Sequence, residues 1–353
     1  MKVTLIVGTD KGGFRFTSED RRTWRMEEPL FKGWKVTTSA RSPAGRWFLG
    51  TSSLVYGAAI HVSDDGVEWR QIDKEKSPSY PEGGIHKLNQ IWTIHADKDR
   101  CLAGVDTAGL FQSTDHGESW QPVSALNDHE TRPKWFPGNG GLCAHTILAD
   151  ADNPNRIWCG ISAVGAWRSD DGGASWQSKN EGIRCVIEDK DLKDIGYCVH
   201  SMVQDPADPN TIYRQDHTGM FRTKNAGDSW EKIESGLASW FGFPIAMDPK
   251  TKTLFSFPME SDEYRMPVDG KFRVYRSADG GESWEALGEG LPSTPNYSGV
   301  LRSAMAIDAL DPCGVYIGST DGRVYASADL GDTWQALPAT LPRVMSVHAY
   351  TED

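Results

Sequence analysis

Three features of this sequence predict an all-β fold made of seven similar sectors. An eight-residue stretch, Ser-x-Asp-x-Gly-x-Ser/Thr-Trp, recurs along the whole length. The tryptophans that end its copies (Trp24, Trp69, Trp120, Trp176, Trp230, Trp284 and Trp334) are 45 to 56 residues apart. The composition suits many tight turns with one aromatic wedge per repeat, with 36 Gly and 14 Trp in 353 residues. A period near 50 residues built from short strands is the signature of a β-propeller with one four-stranded antiparallel blade per repeat.

The copies lie at residues 17–24, 63–69, 113–120, 169–176, 223–230, 277–284 and 327–334. Ser113–Trp120, Ser169–Trp176, Ser277–Trp284 and Ser327–Trp334 keep the full formula. Thr223–Trp230 carries Thr and Asn in the first and third places, and Ser63–Trp69 is one residue shorter. Thr17–Trp24 departs furthest, with Arg21 where Gly is expected. Gly at a hairpin tip adopts positive φ without steric penalty. Asp and Ser/Thr oxygens accept from turn amides that lack a ladder partner. The Trp that opens the next strand offers a large apolar face for packing.

Within each repeat, strands A to D run outward from an axis, and the motif forms the C–D turn. The chain starts at Lys2–Gly8, which matches strand B of the later repeats, so the first blade lacks its own strand A. Val344–Tyr350 reads as a strand with nothing after it. This last strand is expected to pair in the N-terminal blade and close the ring, removing exposed sheet edges. The expected organisation is one seven-bladed propeller domain over residues 1–353. Strand A is placed at Lys35–Ala40, Gln90–Ala96, Cys143–Ala149, Cys198–Gln204, Phe243–Met247 and Leu301–Ile307. Gln121–Leu142 and Gln177–Tyr197 are long connections, and Met259–Gly270 reads as an insertion in a B–C loop. Function is expected on the face carrying these loops.

The motif resembles the Asp-box, or BNR, repeat of sialidases, sortilin-type receptors, xyloglucan-degrading hydrolases and photosystem assembly factors. The resemblance implies the propeller but no single activity, because those proteins share no common chemistry. Sialidases carry an Arg-Ile-Pro motif ahead of their first box and have six blades. The similar Tyr264-Arg-Met-Pro267 lies in the sixth repeat, which argues against sialidase activity.

A balance of 37 basic to 49 acidic residues, net −12, argues against nucleic acid and anionic membrane as partners. The apolar run at the N-terminus is too short for a signal peptide, and no stretch has the length of a membrane span. The six cysteines show no CxxC pair, so reduced thiols and a cytoplasmic protein are expected.

Candidate chemistry gathers on the B–C turns and A strands. Cys143-Ala-His145 and Cys198-Val-His200 place Cys and His two apart, on one side of each strand. His145, His200, Cys143 and Cys198 would form a two-thiolate, two-imidazole set that a divalent metal such as zinc accepts. The alternative is that they fill a channel wall. Asp106, Asp216 and His217 lie in B–C turns, and with His145 and His200 they are the candidates for general acid–base catalysis. Turn chemistry alone would also favour Asp there. Trp92, Arg302 and Arg343 are expected at the rim as ligand-binding residues, with Trp135 on a lid loop, Thr131–Gly141. Glycoside hydrolysis uses two carboxylates roughly 5–10 Å apart, for which Asp106 and Asp216 are the candidates. The expected function is a His/Asp/Arg/Trp-lined funnel for a small polar or carbohydrate ligand, with hydrolase-like or metal-assisted chemistry. The rival is a non-catalytic scaffold that binds a protein.

Overall fold

The computed structural model describes residues 1–185 and 194–352. Part of the long connection Gln177–Tyr197 therefore lies outside the described residues. Among the described residues the regular secondary structure is almost entirely strand, with one short α-helical turn at Ser124–Asn127 and two 3-10 turns. No helix among them is long and apolar enough to cross a membrane.

The chain forms two compact units. One comprises Met1–Lys35, His200–Ala226 and Trp230–Asp353; the other comprises Val36–Val199 and Gly227–Ser229. The second unit contains three four-stranded antiparallel sheets, whose first strands begin at Lys35, Gln90 and Ala144. Its core holds Phe48, Ile60, Ile91 and Phe111 in one cluster, and Trp167, Trp176, Ile157 and Leu110 in another.

The first unit holds an eight-stranded sheet and two four-stranded sheets that begin at Val199 and Gly242. In the eight-stranded sheet the last strand, Val344–Glu352, pairs antiparallel with the first, Lys2–Thr9, in a register that sets Val7 opposite Val347. Seven four-stranded blades are expected from the sequence, and two of the four-stranded groups share one sheet. Ser303 on Val300–Ile307 bridges in parallel to Ser346 on the last strand, which merges two four-stranded groups into one sheet. The core of this unit is aromatic, with Phe16, Phe255, Phe257, Phe272 and Tyr316 all fully buried.

The recurring motif sits in the turn between the third and fourth strands of every group. At Ser277–Trp284, the Ser277 hydroxyl donates to Asp279 Oδ1 at 2.8 Å and accepts from the Gly281 amide at 2.8 Å. Asp279 also accepts from the Ser283 amide at 3.0 Å and the Ser283 hydroxyl at 2.6 Å. The same bonds recur at Ser113–Trp120, Ser169–Trp176 and Ser327–Trp334. The first copy is the short form, starting at Ser18 rather than Thr17, since Ser18 donates to Asp20 as Ser63 donates to Asp65. Arg21 takes the left-handed conformation, φ 58°, that Gly66 takes at φ 72°. The Trp24 indole closes that turn on the Arg21 carbonyl at 3.2 Å.

Candidate functional site

The densest cluster of expected site residues belongs to the first unit and grows from the turn after Asp208–Asp216. Asp216 and Arg214 have fully buried side chains, paired at 2.5 Å. The other Asp216 oxygen accepts from the Thr218 amide at 3.0 Å and its hydroxyl at 3.1 Å. Gln215 Nε2 donates to the carbonyls of Asp216, Gly219 and Trp240. The backbone on both sides of His217 is thus held, and the imidazole stands at the tip, 27 % exposed.

His217 faces three partners. Its Nε2 lies 3.5 Å from Asp262 Oδ2, its ring centroid is 5.7 Å from that of His200, and Phe241 is 5.5 Å away. His200 is buried near the start of Val199–Asp205, with its Nδ1 2.6 Å from the Gly242 carbonyl oxygen. A carbonyl only accepts, so Nδ1 carries the proton and the lone pair of the neutral ring is on Nε2. Burial first, and the Arg302 cation second, push His200 well below the ordinary imidazole value and keep it neutral. Phe241 and Phe243 pack on its ring, with centroids at 5.2 and 4.9 Å.

Two guanidiniums complete the cluster. Arg302, on Val300–Ile307, lies 5.3 Å from the Phe243 ring, and Arg265 lies 5.5 Å from it. Arg265 and Asp262 both come from the insertion Met259–Gly270. Trp240 and Tyr264, adjacent in sequence to Phe241 and Arg265, are exposed. The set offers a lone-pair acceptor, a His–carboxylate pair, cations and aromatic faces.

The remaining expected residues are placed elsewhere. Asp106, Cys143, His145, Trp92 and Trp135 belong to the second unit, as does Cys198. Asp106 accepts from Asn89 and its backbone bridges Cys143. The Cys143 thiol is buried and faces the Gly140 carbonyl. His145 is buried with Nδ1 3.1 Å from the Thr146 hydroxyl and Nε2 2.8 Å from the Val199 carbonyl. Both of its nitrogens are engaged, so no lone pair is left for a metal ion. Cys198 is half-buried. Trp92 is half-buried on Gln90–Ala96. The lid expected at Trp135 is corrected: that indole is buried against Trp167, under the Arg132 guanidinium, because Arg132–Lys134 turns inward as a 3-10 segment. Arg343, in the first unit, is exposed. Asp216 is spent on Arg214 and Thr218, so its carboxylate serves the turn.

No sequence motif marks Asp262, Phe241 or Trp240, and Arg265 stands out only within Tyr264-Arg-Met-Pro267. The insertion that carries two of them was visible as extra length, but nothing in its composition marked the pairing with His217.

No protein-family model matches the chain, and no curated protein matches it. Solved structures do. A protein of unknown function from Desulfotomaculum acetoxidans aligns over 99 % of both chains at TM-score 0.60 and 10 % identity. An ancestral GH74 enzyme aligns over 90 % of this chain at TM-score 0.57 and 16 % identity, and the chain spans 38 % of that enzyme's length. YCF48 bound to D1 peptide aligns over 86 % of this chain and 81 % of its own, at TM-score 0.55 and 15 % identity. The fold is that of a β-propeller. At these identities the likeness extends to the fold alone, and function must be argued from the site.

Proposed function

We propose that this chain is a seven-bladed Asp-box propeller whose His200–His217 cluster binds a small polar ligand, an acidic carbohydrate in particular. The observation that carries this is the buried His200, with Nε2 left as an acceptor inside a cluster that also holds Arg302, Arg265 and exposed aromatics. An acceptor beside two cations matches a ligand that bears both a hydroxyl and a carboxylate. Trp240 and Tyr264 offer faces on which a pyranose ring stacks. If the site is hydrolytic, His217 with Asp262 is the group that moves the proton. The six cysteines, all free thiols, fit a cytoplasmic protein.

The test is saturation-transfer NMR against a panel of uronic-acid and matched neutral oligosaccharides. Acidic members should bind and lose at least tenfold in affinity with Arg302→Ala. Equal binding of neutral members, or no effect of the substitution, would sink the reading.

The rival reading, a protein-binding scaffold, is supported by a different observation in the second unit. The tip of the hairpin between Trp47–Ser53 and Gly57–Ser63 carries Leu54, Val55 and Tyr56, exposed at 106, 80 and 73 %. A structural neighbour, YCF48, is bound to a D1 peptide. Replacing all three residues by Ser abolishes partner capture under this reading and leaves acidic-sugar binding intact.

A further inference from the structure

We propose that His200 and His217 together hold a transition-metal ion of the zinc class. The inference rests on the same cluster as the proposed ligand site and adds an ion to it. Of the set expected from the sequence it keeps His200, adds His217, and leaves out His145, Cys143 and Cys198.

A metal-binding imidazole coordinates through one nitrogen while the other donates to a carbonyl or carboxylate that fixes the ring. Each histidine here has such an outer partner. His200 Nδ1 donates to the Gly242 carbonyl at 2.6 Å, leaving Nε2, and His217 Nε2 faces Asp262 at 3.5 Å, leaving Nδ1. One ring nitrogen of His200 and one of His217 lie within 4.8 Å of each other. Two Zn–N bonds of about 2.0–2.1 Å at a tetrahedral angle set the nitrogens roughly 3.3 Å apart. His217 stands partly exposed on its turn and can close that difference by rotation, whereas His200 is locked by Phe241 and Phe243.

His200 is itself only 2 % exposed, and the one hydrogen bond of its ring runs through Nδ1, which leaves the Nε2 lone pair for an ion. Imidazole nitrogens suit zinc, copper and nickel rather than magnesium or calcium, which take oxygen. Arg302 opposes a second positive charge here, and Asp262 offsets it. Two imidazoles leave positions on the ion open to water or a ligand hydroxyl.

The test uses metal-stripped full-length protein titrated with zinc chloride in competition with a chromophoric chelator. One equivalent should bind per chain. His217→Ala should weaken binding by at least tenfold, and Asp262→Asn by about 10–100-fold, the usual effect of removing an outer partner. Both positions are partly exposed, so they carry the test even if His200→Ala fails to fold; near-UV circular dichroism verifies their folding. His95→Ala is the control, since His95 pairs with Asp97 at 2.8 Å as another surface His–carboxylate pair. Wild-type protein that binds no zinc, or variants at 217 and 262 that bind like wild type, would overturn the proposal. Repeating the acidic-sugar titration in EDTA separates the two ideas. Sugar binding that survives in EDTA, in a protein that takes up no zinc, leaves the ligand site standing while the metal site falls.

Discussion

Removing one member of the Arg214–Asp216 pair tests whether the turn under His217 is held by a buried ion pair. Both side chains are fully inaccessible and their charged atoms are 2.5 Å apart. At an effective dielectric of about 20 that separation is worth roughly 7 kcal/mol of gross attraction, most of it offset by desolvation of the two charges. Arg214→Met removes the attraction but leaves the Asp216 carboxylate buried, so the expected loss is about 3–5 kcal/mol. It also removes a guanidinium 5.5 Å from the Trp230 ring. Asp216→Asn strands the guanidinium in the same way but keeps an acceptor for the Thr218 amide. In the double variant neither charge remains, so its loss should fall short of the sum of the singles by about 2 kcal/mol or more. Urea-unfolding midpoints for the four proteins supply the cycle. Single losses below about 1 kcal/mol, or strict additivity, would refute the reasoning. Because Asp216 also holds the Thr218 amide, ligand or zinc affinity should fall in step with the stability of the turn.

Other perturbations have signs set by the structure. Hydrogen bonds from the Ser283 hydroxyl and amide lower the Asp279 carboxyl to about 2. Its stabilising contribution is therefore whole above the unfolded value near 3.8 and is lost as pH falls from about 4 to 2. Asp279→Asn should flatten the acid limb of a melting-temperature profile, and an unchanged limb counts against the assignment. Burial lowers His61 to about 4, with its Nδ1 3.1 Å from the Thr51 hydroxyl. The unfolded chain takes up a proton near 6.5 that the folded chain refuses, so stability declines as pH drops from 6.5 toward 4, by about 3 kcal/mol. His61→Gln should remove that slope from denaturation measured across the window. Gly322 has φ 89°, and a Cβ there would meet the Leu341 carbonyl oxygen at 1.8 Å. Gly322→Ala should therefore destabilise by more than about 2 kcal/mol, which combines left-handed strain with a backbone clash. A variant that melts like wild type would show that the turn relaxes freely.

The turn motifs were legible in the sequence because everything that forms them is local. Ser277, Asp279, Gly281 and Ser283 satisfy one another within seven residues, so the spacing alone dictates the hairpin. The strands followed from the same spacing: those expected at Lys35, Gln90, Cys143, Cys198, Phe243 and Leu301 begin within one residue of their observed starts. Pairing of the last strand with Lys2–Thr9 was readable too, since each end lacked a partner of its own. Asp216 has the residue type of a catalytic acid, and only the fold shows it paired with Arg214, two residues away. The site itself depended on distant approaches. Asp262 meets His217 from 45 residues away and Gly242 meets His200 from 42, distances that no local rule constrains. Trp135 left the expected lid for the core because a buried guanidinium was there to stack on, and Ser303 reached Ser346 only once two sheet groups came together. Bonds closed within one turn are determined by residue order. Bonds between separate strands and loops are determined by the packing of apolar side chains, which brings those segments together only when the chain folds.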